Sequence, residues 1–470
     1  MTKLAVIADI HYYSTVLGTT GRAYELRSGS DQKCLAESGA VTDAALEKLA
    51  ASDADAVLIA GDITNNGERC CHEEIYEKFV RFREKKPLYL ITSTHDWCSD
   101  HNARRFEGET VFHDVPTLSK EETAEKYLPF GRETEIARFT TSQGFYSRVF
   151  QVSPALRLIA VNDDADGRNG ASGYSEEHMA WMVRQIAGAR KAGCDVIAME
   201  HHLLLDGIDP LINKSQRIAD HAEQAARLAD AGLRLMLTGH SHMQRTTEFV
   251  SPAGNKITQI NIGSLCGYPA PITYLDIENG RAHVTTEFLD RFTYNGKEYD
   301  AGFFKDHTAG VLLHLLDAAA RDKEDLKARL AADGIKIKLD GVYPLVRFAA
   351  KKISTVSVGK AAGLVNALTL GRGIDKQAVK AVKNDNLLQH ILTVFLNVFD
   401  GSFTAARQKD EVKTIVLNVS TLPHRVITKL PLGKGVKEKT AGITESIGHI
   451  ANELMFPSPP DNGKCDISLC

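Results

Sequence analysis

Short apolar segments alternate with longer amphipathic segments over roughly the first 290 residues of the chain. Each apolar segment is rich in aliphatic or β-branched residues and is followed by a polar or glycine-containing turn, which predicts a buried strand. These predicted strands are residues 4–8, 56–60, 88–92, 156–161, 195–199 and 233–238. Apolar residues at helical spacing predict helices at 41–52, 72–84, 176–191 and 218–231. The alternation indicates an α/β sheet.

Three further strands are predicted after residue 250, at 256–262, 272–277 and 283–287. The last two flank Asn279-Gly280, and an Asn-Gly pair between two strands is a strong signal for a hairpin.

The composition and periodicity of the sequence change near residue 300, where Ala, Leu and Lys become frequent at helical spacing. Helices are predicted at 311–320, 326–332, 343–352, 361–370 and 386–399. The β-branched segment 413–420 is predicted as a strand, and 458–464 as a frayed tail. We therefore expect an α/β domain over 1–295 and a mainly helical C-terminal domain over 296–470.

Composition and charge narrow the class of protein. The chain has 470 residues, 43% hydrophobic and 25% charged, with a formal net charge of −4. This is ordinary globular composition, and the absence of a long single-sign run argues against a nucleic-acid polymer as partner. The eight cysteines are scattered without a CxxC pair, so we expect free thiols.

The N-terminal apolar run is too short for a signal peptide, and no stretch is long and apolar enough to span a bilayer. A cytoplasmic location is the resulting expectation. The sequence leaves the oligomeric state open.

Aspartate and histidine residues stand directly after five of the predicted strands. The motifs are Asp9-Ile10-His11, Gly61-Asp62, Ser93-Thr94-His95-Asp96, Glu200-His201-His202 and Gly239-His240-Ser241-His242. Ligands of α/β sheets bind outside the carboxyl ends of the strands. Each motif alone is weak, but five of them in order after strands predict one shared metal centre.

The spacing within the motifs suits metal binding. In an extended chain, residues two apart point to the same side, so Asp9 and His11 can hold one ion, as can His240 and His242. Asp62 follows a glycine and can bridge two ions. Carboxylate and imidazole ligands favour Mn or Fe, with Zn or Ni as alternatives, over Ca. Two such ions about 3.5–4 Å apart hold a phosphoryl group and generate a hydroxide nucleophile.

The ordered set of motifs resembles the calcineurin-like metallophosphoesterases over roughly residues 1–290. The strings around Asp62 and His201 are most similar to a bacterial branch of cyclic-nucleotide phosphodiesterase-like proteins with a helical C-terminal extension. The resemblance implies a four-layer α/β/β/α sandwich of two mixed sheets.

The resemblance also implies a role for each site residue. The first ion would be held by Asp9, His11 and His242, and Asp62 would bridge. The second ion would be held by His201 and His240 with help from Thr94. His95 would act on the phosphoryl group without binding metal, and Asp96 would orient His95.

Thr94 departs from the family pattern, which has Asn at this position as a ligand of the second ion. A threonine hydroxyl is a shorter and poorer metal ligand, so two hypotheses follow. The chain is an active enzyme with a relaxed second site, or a degenerate protein that binds metal and phosphate. Asp100, His101 and Asn102 are nearby substitutes that no spacing demands.

Several other residues have two interpretations. We expect His202 to point away from the ions, and His72 to be structural despite the neighbouring Cys70 and Cys71. Asn65 and Asn66 would contact phosphate or form a turn. Four tyrosines are weak candidates for stacking on a base: Tyr12, Tyr13, Tyr174 and Tyr268.

A phosphodiesterase acting on a small phosphate ester, such as a cyclic nucleotide, is the leading hypothesis, and it depends mainly on the resemblance. The alternatives are a phosphomonoesterase or protein phosphatase, and the degenerate regulator. A structural protein built around the C-terminal helices is a third class. The substrate-binding residues are not identified by the sequence.

Overall fold

The computed structural model describes residues 1–164, 172–209, 216–332, 339, 341–368, 374–401, 409–427, 434–455 and 463–470. The described residues form two compact units. The first comprises those within Met1–Gly207, Asn213–Thr308 and Pro460–Cys470, and the second those within Ile208–Ile212 and Ala309–Pro459.

The first unit contains two large mixed sheets. The first sheet is built from β1 (Thr2–Ile7), β2 (Ala56–Ala60), β3 (Leu88–Ile91), β13 (Pro271–Glu278), β14 (Arg281–Phe288) and β17 (Lys464–Ser468). Its order is β17-β14-β13-β1-β2-β3. Strands β1, β2 and β3 are parallel, and the other three join as antiparallel neighbours.

The second sheet is built from seven strands: β6 (Glu135–Thr140), β7 (Tyr146–Ser153), β8 (Leu156–Ala160), β9 (Asp195–Met199), β10 (Leu235–Thr238), β11 (Arg245–Val250) and β12 (Lys256–Asn261). Their order is β11-β12-β10-β9-β8-β7-β6. The central strands β8, β9, β10 and β12 are parallel.

The remaining strands of the described residues form two small hairpins. They pair β4 (Arg105–Glu107) with β5 (Thr110–Phe112), and β15 (Arg291–Tyr294) with β16 (Lys297–Asp300). The predicted Asn-Gly hairpin is also present, because Glu278 pairs with Arg281 around Asn279 and Gly280, which both have positive φ.

The helices of the first unit are α1 (Arg22–Ser28), α2 (Ser38–Ala51), α3 (Arg69–Arg83), α4 (Lys120–Lys126), α5 (Glu176–Lys191) and α6 (His221–Ala231). Short 3₁₀ turns occur at Thr15–Leu17 and Arg132–Thr134. Regular elements therefore occur in the segments 12–38 and 98–140, for which the sequence pattern predicts no helix or strand.

The two sheets pack face to face. Alternate residues such as Val6 and Leu58 of the first sheet meet Leu158 and Met199 of the second in one buried cluster. The other face of the second sheet packs against α5 and α6 through a second cluster. Helix α3 contacts β3 and α2 contacts α3 on the outside of the first sheet. The predicted α/β/β/α sandwich is confirmed, and its interior is apolar because strand residues alternate between the two faces.

The second unit is helical. Its elements are α7 (Gly302–Arg321, which begins in the first unit), α8 (Lys323–Ala332), α9 (Tyr343–Ile353), α10 (Val358–Leu368), α11 (Lys376–Ala381), α12 (Leu387–Asp400), α13 (Asp410–Ile427) and α14 (Lys434–Met455). The predicted strand at 413–420 is wrong, since these residues lie in α13. Val412 and Ile415 are three apart and pack with Ala362 and Ala451, so helical packing outweighs the β-branched composition.

The C-terminal segment returns to the first sheet. Strand β17 pairs antiparallel with β14, and Ile467 and Leu469 are buried in the cluster between the sheets. Residues 463–470 are thus an edge strand and its end, whereas the sequence assigned them to the helical domain. Residues 456–462 lie outside the described part of the chain. The sequence pattern that would predict β17 is weak, because the strand is short and half exposed.

All eight cysteines are free thiols in the structure. Among the described residues, no helix has the length and hydropathy needed to cross a bilayer.

Replacing the fully buried Leu469 by alanine should lower the free energy of unfolding of the first unit by about 2–5 kcal/mol, because it leaves a cavity between the sheets. Urea unfolding followed by tryptophan fluorescence measures this, since both tryptophans, Trp97 and Trp181, lie in the first unit. Leu345→Ala, at a position 71% exposed, is the control and should change stability by less than about 0.5 kcal/mol. Equal stability of the two variants would contradict the packing of the C-terminal segment.

Candidate metal centre

The motif residues follow the carboxyl ends of five strands. Asp9 and His11 come after β1, Asp62 after β2, and His95 after β3 in the first sheet. In the second sheet His201 follows β9, and His240 and His242 follow β10. Since β1, β2 and β3 are parallel, as are β9 and β10, each sheet delivers its residues to one edge.

Asp9, His11 and His242 form the first group of converging ligand atoms. The Nε2 atoms of His11 and His242 are 2.9 Å apart. Oδ1 of Asp9 lies 3.7 Å from Nε2 of His11 and 3.4 Å from Nε2 of His242. Three potential ligand atoms thus surround one point, as required for an ion bound at about 2.0–2.2 Å from each.

Asp62, His201 and His240 form a second group beside the first. Oδ2 of Asp62 lies 3.1 Å from Nε2 of His201 and 3.8 Å from Nε2 of His11. The Asp62 carboxylate therefore lies between His11 of the first group and His201 of the second, which is the arrangement of a bridging ligand. Both carboxylates are buried, with Asp9 0% and Asp62 1% exposed.

The hydrogen bonds around the imidazoles leave ligand atoms free for a cation. Nδ1 of His201 lies 2.7 Å from the carbonyl oxygen of Ala60 and donates to it, which leaves Nε2 as the basic nitrogen. That Nε2 is buried and has no hydrogen-bond partner. An orphaned buried nitrogen that faces a carboxylate fits a metal ligand.

Gln32 supports His242 in the same way. Its side-chain amide lies 2.7 Å from Nδ1 of His242, while its Oε1 is buried without a partner. Exchanging the two ends of the amide lets Oε1 accept from Nδ1–H and leaves Nε2 of His242 basic. Gln32 was missed in the sequence because it lies in a segment without a motif.

The electrostatics favour neutral imidazoles at His11 and His240 and an ionised bridging carboxylate. At His201 burial lowers the pKa, but Asp62 and Asp9 outweigh it and the net pKa lies well above the usual range. Burial lowers the pKa of His11 and of His240 well below the usual range. Burial raises the pKa of Asp62, but His201 and His95 outweigh it and the net pKa lies well below the usual range. Neutral imidazole and carboxylate are the protonation states that bind metal.

Five of these six residues have left-handed backbone conformations. Their φ angles are 50° at Asp9, 44° at His11, 50° at Asp62, 68° at His240 and 57° at His242. Positive φ is costly for residues with a Cβ and persists where the surrounding structure enforces it, commonly at functional sites. The turn after each strand thus aims the side chains at the shared point.

Two glycines allow the strand ends to approach each other. A Cβ at Gly61 would lie 2.5 Å from Nδ1 of His201, and Gly61 has φ of 85°. A Cβ at Gly239 would lie 2.6 Å from Oδ2 of Asp9 and 3.1 Å from the carbonyl oxygen of Ala60. Glycine is therefore required before Asp62 and before His240, because a Cβ at either position would collide with a neighbouring residue of the centre.

His95 converges with His11 and Asp62 in a further group of potential ligand atoms, but its ring is held by different residues from those expected. Its Nδ1 is 2.5 Å from the carbonyl oxygen of Asn65 and 2.9 Å from Oδ1 of Asn66. Its backbone N–H donates to Oδ1 of Asp62 at 3.2 Å. Asn65 and Asn66 thus orient His95, a role that differs from both interpretations of the sequence, phosphate contact and a turn.

Asp96 does not contact the His95 ring through a hydrogen bond, which corrects the expected pairing. Its carboxylate accepts from the backbone N–H and hydroxyl of Thr64 at 2.8 and 3.1 Å, and from Ser93 N–H at 2.9 Å. Burial, with the charge of Asp62, raises the pKa of Asp96 to about 7. Asp96 thus fixes the two loops that carry Asp62 and His95.

Asp100 and His101, the charged residues that follow Thr94 in the sequence, are not placed to substitute for it. The carbonyl oxygen of Thr94 accepts from Ser99 N–H at 3.0 Å. Asp100 accepts from Asn102 N–H at 3.0 Å and closes a local turn. Among the described residues, Asp100 and His101 do not belong to any group of converging ligand atoms.

His202 and His72 form hydrogen bonds with residues outside the two groups, although the His202 ring lies 4.3 Å from the ring of His240. Nδ1 of His202 is 3.2 Å from Oδ1 of Asp163, in a separate group with Asp164. His72 contacts the Tyr127 hydroxyl at 2.8 Å and the Asp96 carbonyl oxygen at 2.7 Å, which agrees with a structural role. Asp163 was overlooked in the sequence although it, too, follows a strand.

The four tyrosine candidates are buried, with exposed fractions of 1–7%. The hydroxyls of Tyr12, Tyr13 and Tyr174 donate to Glu74, Gly18 and Glu200, respectively. Such internal contacts are typical of core tyrosines.

Gly239→Ala should weaken Mn²⁺ binding by at least about tenfold, because the added methyl group displaces Asp9 or His240. Titration calorimetry and metal analysis of the purified protein measure the affinity and stoichiometry. Gly188→Ala is the matched control, since its Cβ would meet the first atom at 3.8 Å within α5. Unchanged binding by Gly239→Ala would exclude this group as the metal centre.

Comparison with known proteins agrees with this geometry. The family model for the calcineurin-like phosphoesterases matches residues 2–244, more than half of the chain. No curated protein matches the sequence.

Solved structures similar to the chain include a dimetal phosphatase from Danio rerio, with 12% identity, 61% of this chain and 96% of that chain covered, and a TM-score of 0.41. A purple acid phosphatase from yellow lupin has 12% identity, coverage of 64% and 52%, and a TM-score of 0.37. On the match of the family model, the chain belongs to the calcineurin-like phosphoesterase family.

Proposed function

We propose that this phosphoesterase hydrolyses phosphodiesters of small molecules with the help of two divalent metal ions. The observation that carries the proposal is the pair of ligand groups that share Asp62. Bound there, the two ions supply charge neutralisation and an activated water for attack on phosphorus.

The chain's own residues would hold and orient this centre. Asp9, His11 and His242 are the proposed ligands of one ion, and His201 and His240 of the other, with Asp62 as the bridge. Thr94 remains a proposed contributor to the second site through its hydroxyl. Mn or Fe are the metals that the ligand set favours first.

His95 is the proposed acid that protonates the leaving oxygen. Asn65 and Asn66 accept from its Nδ1–H, so the imidazolium form of the ring would donate its second proton, on Nε2, to the leaving oxygen. Its backbone N–H contacts Asp62, so the ring is fixed relative to the bridging carboxylate. A positioned proton donor beside the phosphoryl group is worth about 10²–10⁴ in rate.

The preference for diesters is supported by the similarity of the strings around Asp62 and His201 to cyclic-nucleotide phosphodiesterase-like proteins. The same centre serves monoesters, so a phosphomonoesterase or protein phosphatase is the alternative within enzymes. The regulator hypothesis is motivated by Thr94 alone.

The purified protein should hydrolyse bis(4-nitrophenyl) phosphate when loaded with Mn²⁺, and chelator should abolish this activity. His240→Ala should reduce kcat/KM by more than about 100-fold, because the second ion loses a ligand. A parallel assay with 4-nitrophenyl phosphate tests the preference for diesters.

Faster turnover of the monoester would replace the diesterase proposal by a phosphomonoesterase. If neither ester is hydrolysed by folded protein that binds Mn²⁺, the Thr94→Asn variant tests the hypothesis of a degenerate regulator. A sharp gain of activity in that variant would establish a degenerate regulator.

Asn66→Ala should lower kcat for diester hydrolysis by about tenfold with unchanged metal content, because the His95 ring loses a hydrogen-bond partner. His95→Ala should lower kcat by about 10²–10⁴. Asn255→Ala, at a turn where the side chain contacts Asp230, is the matched control and should retain full activity. Wild-type kcat in both site variants would rule out His95 as the acid.

A further inference from the structure

Helix α9 of the second unit carries a row of exposed apolar side chains, which we call the apolar row. It consists of Val342, at the N-cap of the helix, Leu345 and Phe348. These residues are spaced three apart, so they lie along one side of the helix. Their exposed fractions are 51%, 71% and 56%. A single exposed apolar residue is ordinary, but a row of three on one side of a helix marks an interaction surface.

The apolar row is separate from the side of α9 that packs within its unit. Tyr343, Val346 and Ala350 belong to one hydrophobic cluster with Ala318 of α7 and Leu326 of α8. These contacts anchor the helix without the apolar row. Substitutions in the row should therefore leave the fold of the unit intact.

The charge around the apolar row is exclusively positive. Residues 341–368 are all described and contain neither Asp nor Glu, although the whole chain has a formal net charge of −4. Their basic residues are Arg347, Lys351, Lys352 and Lys360. Within the part of the chain that the structure describes, none of these four cations forms an ion pair. Nζ of Lys352 lies 5.9 Å from the centroid of the Phe348 ring, so a cation stands directly beside the apolar row.

Acidic residues on the helices that pack against α9 pair within their own helices. Oδ1 of Asp317 is 2.8 Å from Nε of Arg321 on α7, and Oδ2 of Asp325 is 3.1 Å from Nε of Arg329 on α8. These two carboxylates are thus neutralised locally and leave the positive charge of α9 for a partner.

An apolar row flanked by unpaired cations is complementary to an anionic lipid surface. Aliphatic and aromatic side chains enter the boundary between headgroups and acyl chains, while Lys and Arg contact the anionic headgroups. The long stems of Lys and Arg let their charges reach the headgroups from a helix that lies in the surface. A second copy of this chain is a poor partner for the row, because two faces of the same positive charge repel each other.

We propose that α9 docks this protein on the surface of a membrane that contains anionic lipids. The apolar row inserts into the headgroup region, and Arg347, Lys351 and Lys352 contact the headgroups. Helix α10 repeats the combination, because Leu364 is 58% exposed and Lys360 lies four residues before it on the same side. The proposal concerns a binding surface in the second unit and does not depend on the proposed function of the metal centre.

Flotation of the full chain with lipid vesicles tests the proposal. Vesicles of phosphatidylcholine with about 30% phosphatidylserine should carry the protein upward in a density gradient, whereas vesicles of phosphatidylcholine alone should not. Raising the salt from about 0.1 M to about 1 M should release most of the protein, because the screening length falls from about 10 Å to about 3 Å.

Two double substitutions test the two parts of the surface. Leu345→Ser with Phe348→Ser should weaken binding to the anionic vesicles at least about tenfold, because the apolar row no longer inserts. Lys351→Ala with Lys352→Ala should weaken it about 10- to 30-fold, because two contacts with anionic headgroups are lost. An unchanged far-ultraviolet circular dichroism spectrum shows that each variant has kept its helices.

Matched controls remove the same chemistry from the first unit. Val250→Ser changes an apolar residue that is 59% exposed, and Lys85→Ala with Lys191→Ala removes two exposed positive charges. Both controls should bind the anionic vesicles as tightly as the wild type.

Three results would each overturn the proposal: no flotation of the wild type, equal binding to both kinds of vesicle, or wild-type binding by the Leu345→Ser, Phe348→Ser variant. Analytical ultracentrifugation covers the competing occupant. A wild-type dimer that this double substitution dissociates, without binding to vesicles, would assign the apolar row to a contact between two copies of the chain.

Discussion

The structure depends on the convergence of basic nitrogens and carboxylate oxygens on one buried region. The Nε2 atoms of His11 and His242 are 2.9 Å apart, and Asp9 Oδ1 lies within 3.7 Å of both. In a buried environment such a set is unfavourable without positive charge at its centre. The requirement for a cation is thus inherent in the arrangement, and each loop around it is shaped to keep these atoms together.

The fold supports this convergence with short, fully buried strands. Strand β2 is buried along its whole length, and β1 is nearly so. Because the apolar contacts between the sheets fix the strand ends, the turns that follow can retain left-handed φ angles that a free chain would avoid. The free energy of the core therefore offsets local strain at Asp9, Asp62 and His240.

Sequence patterns were sufficient for much of the fold and for the residues that meet at the centre. Strands Ala56–Ala60 and Asp195–Met199 and helix Glu176–Lys191 have the predicted bounds, because their periodicity and length are unambiguous. The segment 413–420 was assigned wrongly because β propensity depends on context, and only tertiary packing shows that Val412 and Ile415 share a helical face.

The supporting residues of the centre were harder to predict than the motif residues. Asp96 was expected beside His95, its neighbour in sequence, but its acceptors are used by Thr64 and Ser93. Asn66 contacts His95 across 29 positions of the chain, and Gln32 contacts His242 across 210. Such contacts are set by how loops cross in three dimensions, which a linear pattern does not encode.

The return of β17 to the first sheet has a consequence for biosynthesis. The strand that completes this edge leaves the ribosome only after the whole helical segment from Ala309 onward has been made. Until then β14 presents an unpaired edge, and Ala282 and Val284 lack part of their cover. Nascent chains stalled within the helical segment should therefore be the form of this protein most prone to pair with other strands and to engage chaperones.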